Sequence, residues 1–378
     1  MMQRQDLSIE FITSVNEILP SDWDTMADGT PLLSHSFLSA LENTGCVGIG
    51  TGWNPRPLVI KQDGKLIGAM PLYLKSHSYG EYVFDWAWAD AYERSGLNYY
   101  PKLLSAIPFS PITSARLLSN HPEAPILMLD ALERIMYQYQ FSSAHVLFPG
   151  DACAKHLEAA GWLRRDGVQF RWHNKNYYDF EEFLATLSHD KRKKIHQERK
   201  KIESAGVACR FIKGKEITES DWNFFYRCYC NTYAEHHSTP YLTREFFIEI
   251  GNSMPQHILM IVAEINGKPI ASTFNIYNQT TLYGRYWGAI QFISGLHFEL
   301  CYYQAQQFCI EEKIAFFEGG AQGEHKLARG FEPRPTCSYH KIAHPDFEAA
   351  IRQFLAREAE GIAVYTNELE ERVPFKTV

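Results

Sequence analysis

The sequence of 378 residues lacks the features that mark several classes of protein. No stretch approaches the roughly 18 consecutive apolar residues of a membrane-spanning helix, and the N-terminal residues contain no apolar segment typical of a signal peptide. The eight cysteines include no CxxC pair, Cys228 and Cys230 being closest together. The sequence therefore predicts neither a metal site nor a disulfide framework, and it is typical of a soluble cytoplasmic protein.

The sequence also has no large excess of positive or negative charge. The formal net charge is only −7, and 45% of the residues are hydrophobic, which is typical of a folded globular protein without general affinity for nucleic acid. We therefore expect no DNA partner, and any anion site must be local. Because single cores usually stop growing at roughly 250 to 300 residues, the length predicts two domains.

The second half of the chain repeats the order of features found in the first. Phe11-Ile12 and then Ser21-Asp22-Trp23 predict a short strand and a helix capped by Ser21, and Phe211-Ile212 and Ser220-Asp221-Trp222 predict the same pair again. Each pair is followed by a proline and a second predicted helix. The spacing inside the two copies is nearly the same, which indicates an internal repeat.

The repeat continues through a hairpin, a helix and a strand. Two apolar runs flank Asp63-Gly64 and two flank Asn266-Gly267, the strongest short-range signal for a β-hairpin. Helices are predicted at 125–140 and 296–313, each leading into a strand. With HLEAAGW and HKLARGF after those strands, six features recur in one order at offsets of about 170 to 210 residues. This predicts a tandem duplication of an α+β unit.

The duplication sets the predicted domain limits. The first domain is predicted at 1–175, a basic connecting helix at 176–204, the second domain at 205–345, and a C-terminal helical tail at 346–378.

Titratable side chains are concentrated between Phe317 and His340. Three glycines allow a turn or a close approach to a ligand, and they are followed by a carboxylate, an imidazole, an amine and a guanidinium. These four groups are Glu324, His325, Lys326 and Arg329. The stretch is typical either of a solvated helix start or of a catalytic site.

Differences between the two copies indicate which positions of the second copy have a function beyond folding. Lys326 and Arg329 correspond to Leu157 and Ala160 of the first copy, so two cations replace aliphatic residues. Arg285 and Trp287 likewise replace Glu81 and Val83. An unpaired cation in a cleft lowers stability, so a cation at these positions is more simply explained by a function. These positions are therefore predicted to belong to a site, and drift on an exposed surface is the alternative.

The first copy carries its own dense group of aromatic and charged residues between positions 85 and 102. This composition suits a polar ligand with flat or sugar-like faces, and an aromatic domain interface is the alternative. The connecting helix has a strongly basic face, which indicates either a solvated surface or a docking site for phosphates.

The basic helix LSHDKRKKIHQERKKIESAGV and the segment FDWAWADAYERSGLNYYPKLLSAIPFSPI resemble the FemAB-like branch of the GNAT acyltransferases, as does Lys326 shortly before Gly330-Phe331. The resemblance covers nearly the whole chain. It implies two GNAT (acyl-CoA N-acyltransferase)-like domains, with mixed, mainly antiparallel sheets flanked by helices. It also implies acyl or aminoacyl transfer to an amine or hydroxyl acceptor, which in this family can be a cell-wall precursor.

The donor implied by the resemblance is an acyl-CoA or an aminoacyl-tRNA. CoA-dependent members hold the pyrophosphate on a glycine-rich loop at a helix N-terminus. The corresponding stretch here, WGAIQFISGL from Trp287, has too few glycines in a different spacing. It therefore predicts weak binding of acetyl-CoA and makes tRNA a candidate partner.

The hypothesis assigns His325 as general base and Lys326 as the second catalytic residue. Residues predicted to bind substrate are Arg329, Gln322, Arg285, Trp287, Asp85, Trp86, Asp90, Tyr92, Tyr99 and Lys102, and those predicted to bind anions are Lys191, Arg192 and Lys194. Two alternatives stay open. One is a non-catalytic protein that binds a glycan or a nucleotide-linked ligand, and the other is an RNA-binding module based on the basic helix.

Overall fold

A computed structural model describes residues 6–320 and 323–376. The chain forms two compact units, which we call the first and second units. The first unit comprises Met1–Gly167 and Pro335–Val364, and the second comprises Val168–Arg334 and Tyr365–Val378.

The first half of the chain contains nine strands and five α-helices within the described residues. In chain order they are β1 (Leu7–Phe11), α1 (Pro20–Met26), α2 (His35–Asn43), β2 (Trp53–Pro55), β3 (Leu58–Gln62), β4 (Lys65–Met70), β5 (Tyr73–Lys75), α3 (Trp86–Arg94), β6 (Lys102–Ser105), β7 (Leu118–Ser119), α4 (Ala124–Gln138), β8 (Ser143–Leu147), α5 (Asp151–Ala159) and β9 (Leu163–His173).

The second half has the elements α6 (Phe180–Thr186), α7 (His189–Ser204), β10 (Val207–Lys213), α8 (Glu219–Glu235), α9 (Arg244–Ser253), β11 (Ile258–Ile265), β12 (Lys268–Tyr277), β13 (Thr281–Ala289), α10 (Leu296–Phe298), a π-helix (Glu299–Gln304), α11 (Ala305–Glu311), β14 (Phe316–Glu318), a 3-10 helix (Glu324–Arg329), β15 (Phe331–Ile342) and α12 (Pro345–Glu371).

The predicted duplication is present in the strand pairing of each unit. β1 pairs antiparallel with β3, and β3 with β4; in the second unit β10 pairs with β11, and β11 with β12, in the same way. Both hairpins turn where predicted, because Asp63-Gly64 and Asn266-Gly267 adopt positive φ angles. The strand after the long helix then pairs in parallel, β8 with β6 and β14 with β13.

The last strand of each copy pairs within the other unit. In the first unit, Ser338–Ile342 of β15 lie antiparallel to β8. In the second unit, Arg171–His173 of β9 lie antiparallel to β14. The predicted domain limits at 175 and 345 therefore differ from those of the compact units, because each copy ends in a strand that completes the other unit.

Each unit has its own core. In the first unit, α4 covers β3 and β4 with buried residues such as Met128 and Leu132, and Leu157 of α5 joins the same cluster. In the second unit, α6, α7 and α11 bury Phe183, Ile195 and Phe308 in one cluster. Helices that flank mixed sheets agree with the predicted α+β class.

Three local predictions need correction. The helix predicted to be capped by Ser220 begins earlier, because Thr218 forms a capping box with Asp221. Ser21 likewise lies inside α1, whose N-cap is Leu19. The connecting segment is two helices, since Leu187 has extended backbone and ends α6 before α7 begins.

Candidate functional site

Two adjoining cavities lie beside β13 in the second unit. The smaller, which we call the polar cavity, has a volume of about 120 Å³. The larger, which we call the loop groove, has a volume of about 340 Å³ and is formed mainly by residues 289–298. Trp287 and His297 line both cavities. The polar cavity is lined by Thr273, Asn275, Gly284, Arg285, Tyr286, Trp287, His297, Cys301, Tyr302, Phe317 and Gly319.

Irregular backbone shapes this region. The pairing of β12 with β13 shifts register between Phe274 and Asn275, next to Arg285 on the facing strand. Opposite the sheet, the helix that follows β13 contains the π-helix turn, which carries Cys301 and Tyr302. Bulges and π-helices interrupt regular pairing and re-aim side chains, and both are frequent at functional sites.

Two histidines stand on the helix side of the polar cavity. His297 lines the cavity, and its burial lowers its pKa to about 4, an effect that the nearby His325, Arg329 and Lys326 strengthen. The Nε2 atom of His325 lies 2.8 Å from the hydroxyl oxygen of Tyr302. Partial burial, with Arg329 and Lys326 nearby, also lowers the pKa of His325. Both imidazoles are therefore neutral at pH 7 and able to accept a proton.

Tyr302 connects the polar cavity to His325. Burial raises the pKa of its hydroxyl well above the usual range, so the hydroxyl keeps its proton at neutral pH and can donate it to Nε2 of His325. His325 itself does not line the cavity. A proton released in the cavity can reach this imidazole through the tyrosine hydroxyl.

Lys326 is buried behind the cavity wall, with 2% of its surface exposed. Its Nζ atom donates a hydrogen bond to the carbonyl oxygen of Gly320 at 2.9 Å, and Gly319 lines the polar cavity. Burial lowers the pKa of the Lys326 amine to about 8. Leu157, its counterpart in the first copy, is also fully buried, so the second copy holds an amine where the first holds a leucine.

Arg329 has a partner within its own chain. Its Nη2 atom lies 3.1 Å from both carboxylate oxygens of Glu198 on α7, and its Nη1 atom donates to the carbonyl oxygen of His325. The guanidinium also stacks over the ring of Phe298 at 3.5 Å. The predicted role as an anion clamp for substrate is therefore not what this geometry favours. Arg329 is suited to hold the segment that carries His325 and Lys326.

Arg285 stands near a cluster of charges at the end of β14. Glu318 accepts hydrogen bonds from Arg171 and from Arg334, the latter at 2.7 Å. Burial raises the pKa of Glu318, while Arg171 and Arg285 act in the opposite direction. One carboxylate thus faces three guanidinium groups, and this side of the polar cavity has excess positive charge that suits an anionic group. Gln322, also predicted to bind substrate, lies outside the described residues.

In the first unit, Asp85, Tyr99 and Lys102 come together, but in the core. Lys102 is fully buried and donates to Ser78 and Glu81, each at 2.8 Å, and to Asp85. The hydroxyl of Tyr99 donates to Asp85 at 2.6 Å. These three residues, predicted to bind substrate, lie in the core instead, where each buried charge has a buried partner.

The network continues through two histidines. Nδ1 of His145 lies 2.6 Å from Nδ1 of His340, and Nε2 of His145 lies 3.3 Å from the hydroxyl of Tyr99. Burial lowers the pKa of His145 to about 3. Both imidazoles are neutral, so one Nδ1 donates the hydrogen bond and the other accepts it.

The other predicted residues of the first unit have separate positions. Tyr92 packs against Phe347, with ring centroids 4.0 Å apart. Trp86 is 41% exposed and contacts Tyr79, and Asp90 forms an exposed ion pair with Arg94. Tyr92 also packs against Tyr99 of the Lys102 network, with ring centroids 5.3 Å apart, whereas Trp86 and Asp90 do not touch that network among the contacts described.

The basic face of α7 has a shallow pocket of about 300 Å³. Its lining consists of His189, Arg192, Lys193, His196, Gln197 and Lys200. Arg192 lines this pocket, whereas Lys191 and Lys194 do not, and the anion-binding role of all three stays a prediction. Within residues 6–320 and 323–376, no cluster of three or more His, Cys, Asp or Glu side chains has metal-binding geometry. The described helices include none with the length and apolarity needed to cross a membrane.

Comparison with known families identifies the chain. The profile of the FemAB-like family, described as peptidoglycan biosynthesis/recognition, matches residues 14–377. The protein belongs to the FemAB-like family. No curated protein matches its sequence.

Solved structures agree with this membership at the level of the fold. The crystal structure of FemX superposes with a TM-score of 0.55 at 11% sequence identity, covering 89% of this chain and 98% of that chain. The structure of L-PGS from Bacillus licheniformis superposes with a TM-score of 0.55 at 9% sequence identity, covering 92% of this chain and 98% of that chain. A conserved protein of unknown function from Bacteroides thetaiotaomicron superposes with a TM-score of 0.54 at 14% sequence identity, covering 89% of this chain and 100% of that chain. These likenesses concern the fold, and the duplicated strand pairing within the chain agrees with the predicted tandem of two α+β units.

Several residues of this candidate site are not indicated by the sequence. His297, Cys301 and Tyr302 fall in a helix whose pattern of apolar residues predicts packing only, and nothing in that pattern reveals a π-helix turn. Glu318 and Arg171 are adjacent only because β9 pairs with β14. A signal for His297 existed in principle, since a histidine two residues after Gly295 stands at the start of a helix that follows a strand.

Proposed function

We propose that this protein is an acyltransferase that moves an acyl or aminoacyl group to an amine or hydroxyl acceptor. The observation that carries the proposal is the polar cavity, where neutral His297, Arg285 and Tyr302 surround one small space and the hydroxyl of Tyr302 meets His325 behind it. FemAB-like membership supports a cell-wall precursor as the acceptor. The donor is an acyl-CoA or an aminoacyl-tRNA.

The chemistry proceeds by attack of the acceptor nitrogen or oxygen on the donor carbonyl. The new C–N or C–O bond forms, the bond between the acyl carbon and its carrier breaks, and the acceptor proton leaves through Tyr302 to His325 before it reaches the carrier. Arg285 supplies positive charge for the carbonyl oxygen as it becomes negative. Lys326, held against Gly320, adds a second positive charge near that wall. Arg329 positions the 3-10 helix through Glu198.

A transfer assay tests the proposal. Purified protein is incubated with radiolabelled acetyl-CoA, longer acyl-CoAs or aminoacyl-tRNA and with a UDP-linked muropeptide, and the labelled product is counted. We expect Tyr302→Phe and His325→Gln to lower transfer by about 100-fold each, because a general base typically contributes 10²- to 10⁴-fold. His156→Gln, at the position of the first copy that corresponds to His325, is the control and should transfer normally. Equal rates for all three variants would exclude this base assignment.

A binding function based on α7 is the second candidate. The observation in its favour is the shallow pocket with three cationic side chains, Arg192, Lys193 and Lys200. If this face binds RNA phosphates, affinity for tRNA falls steeply with salt, and Arg192→Gln with Lys193→Gln reduces that slope. Binding of tRNA without any transfer would favour this candidate over the enzyme.

A further inference from the structure

The loop groove has a different chemical character from the polar cavity. The segment that forms it presents Ile290, Phe292, Ile293 and Phe298. The side chain of Phe292 is 92% exposed and that of Ile290 is 39% exposed. Large apolar side chains at the rim of a concave site gain stability when a ligand removes them from water.

Two polar side chains of the groove, Asn231 and Glu235, are engaged within the protein. Asn231 on α8 donates to the carbonyl oxygen of Ala289 at 2.7 Å and to the carboxylate of Glu235 at 3.1 Å. Among its lining residues, all of them described, there is no lysine or arginine, and Glu235 adds a negative charge. A pyrophosphate or another phosphate group is therefore disfavoured there.

The groove is continuous with the polar cavity, because Trp287 and His297 line both. A single ligand can place a reactive carbonyl beside Arg285 and Tyr302 and lay its remaining part along residues 290–293. The volume of about 340 Å³ lies at the lower end of the range for small-molecule sites. It exceeds what an acetyl or an alanyl group needs.

From this arrangement we infer that the loop groove binds the linear hydrocarbon chain of the donor, so that the transferred group is a medium-chain or longer fatty acyl group carried as a thioester. The inference rests on the proposed acyl transfer and specifies its donor. Phe292 and Ile293 are the specificity-determining residues. During transfer the thioester C–S bond breaks, the acyl carbon bonds to the acceptor, and the thiol of the carrier takes the proton.

A chain-length series tests the inference. Acetyl, octanoyl and decanoyl thioesters of N-acetylcysteamine are titrated calorimetrically into the full-length protein, below the concentration at which they form micelles. Because each buried methylene contributes about 0.8 kcal/mol, we expect decanoyl to bind at least 10-fold tighter than acetyl. Phe292→Ala and Ile293→Asn should remove most of that gain and leave acetyl binding unchanged.

Tyr178→Ala is the matched control, since Tyr178 is 90% exposed in the same unit but does not line the groove. It should bind all three thioesters like the unaltered protein. Affinity that does not depend on chain length, or a gain that survives both groove variants, would overturn the inference. Transfer of acetyl alone would retain the proposed function and reject the fatty acyl donor, whereas chain binding without transfer of any group would reject the proposed function.

Discussion

At the scale of single residues, Lys326 carries the clearest difference between the two copies. It is buried like its counterpart Leu157, yet it is an amine and lies behind the wall of the polar cavity. We expect Lys326→Met to lower transfer by roughly 100- to 1000-fold through loss of positive charge, and to keep the fold because the apolar stem is retained. Turnover and melting temperature measured on the same preparation check this.

Leu157→Ala is the matched control for that substitution. It removes a fully buried side chain from the core of the first unit, so we expect a loss of about 2 to 5 kcal/mol in unfolding free energy with normal transfer by the folded molecules. A Lys326→Met protein that melts much lower than the unaltered protein, or that transfers normally, would return Lys326 to a purely structural role.

The same lysine predicts a dependence of stability on pH. Burial lowers its pKa to about 8 from the ordinary 10.5. Between these values the unfolded chain binds more protons than the folded one, so the folded state gains stability as pH rises. Lys326→Met should therefore be more stable than the unaltered protein at pH 7, by at most about 3.4 kcal/mol at 1.36 kcal/mol per pKa unit.

Urea unfolding of both proteins at pH 7 and pH 9.5 measures this difference. The advantage of Lys326→Met should shrink at the higher pH. An advantage that stays constant, or grows, would show that burial does not lower the pKa of this amine.

Arg329 is predicted to act through the fold. Its guanidinium binds both oxygens of Glu198 and has 3% of its surface exposed. Breaking a buried pair leaves one charge uncompensated, and we expect Arg329→Met to lower the unfolding free energy by about 3 kcal/mol. The double variant with Glu198→Gln should regain part of that loss in denaturant unfolding. Equal stability of the single and double variants would contradict the pairing.

At the scale of elements, the sequence predicts regular hairpins well, and it predicts irregular turns and bulges poorly. The hairpins at Asp63-Gly64 and Asn266-Gly267 were predictable because only a few residue types accept positive φ in such turns. The π-helix turn and the bulge between Phe274 and Asn275 were not. Each arises from packing against neighbouring elements, which no local pattern records, and each shapes the candidate site.

Two glycine substitutions of identical chemistry should have opposite effects. A Cβ atom on Gly288 of β13 would stand 2.0 Å from the carbonyl oxygen of Cys228 on α8, so Gly288→Ala forces the helix away and we expect a loss of more than 2 kcal/mol. Gly361 lies inside α12 with nothing within 4 Å of such a Cβ. Gly361→Ala should raise stability by about 0.5 to 1 kcal/mol. Denaturant midpoints of both variants, compared with that of the unaltered protein, test these expectations. A stable Gly288→Ala protein would show that α8 packs differently.

At the scale of the whole molecule, the duplication was predictable but the exchange of end strands was not. Six recurring features mark the repeat in the sequence. Which strand completes which sheet depends on pairing between residues far apart, such as Val146 with Tyr339, and β15 has the same residue pattern whichever partner it takes. The predicted limits at 175 and 345 follow the order of the chain, whereas the compact units follow the pairing.

The exchange predicts how fragments behave. Residues 1–175, the predicted first domain, lack the segment Ser338–Ile342 that pairs with β8. All five residues of β8 are buried, so this fragment would expose an unpaired apolar strand and leave His145 without His340. We expect it to aggregate or to show no cooperative unfolding in urea, because an open sheet edge next to a core is both unstable and prone to association.

A rearranged fragment supplies the control. Gly167 and Thr336 are neighbours, since a Cβ atom on Gly167 would lie 3.1 Å from the hydroxyl oxygen of Thr336. A short glycine-serine linker can therefore join residues 1–167 to residues 335–364. This chain contains all of the first unit, and we expect a single cooperative transition monitored by circular dichroism. Cooperative unfolding of residues 1–175 alone would contradict the exchange, because β8 would then be stable without the strand from the second copy.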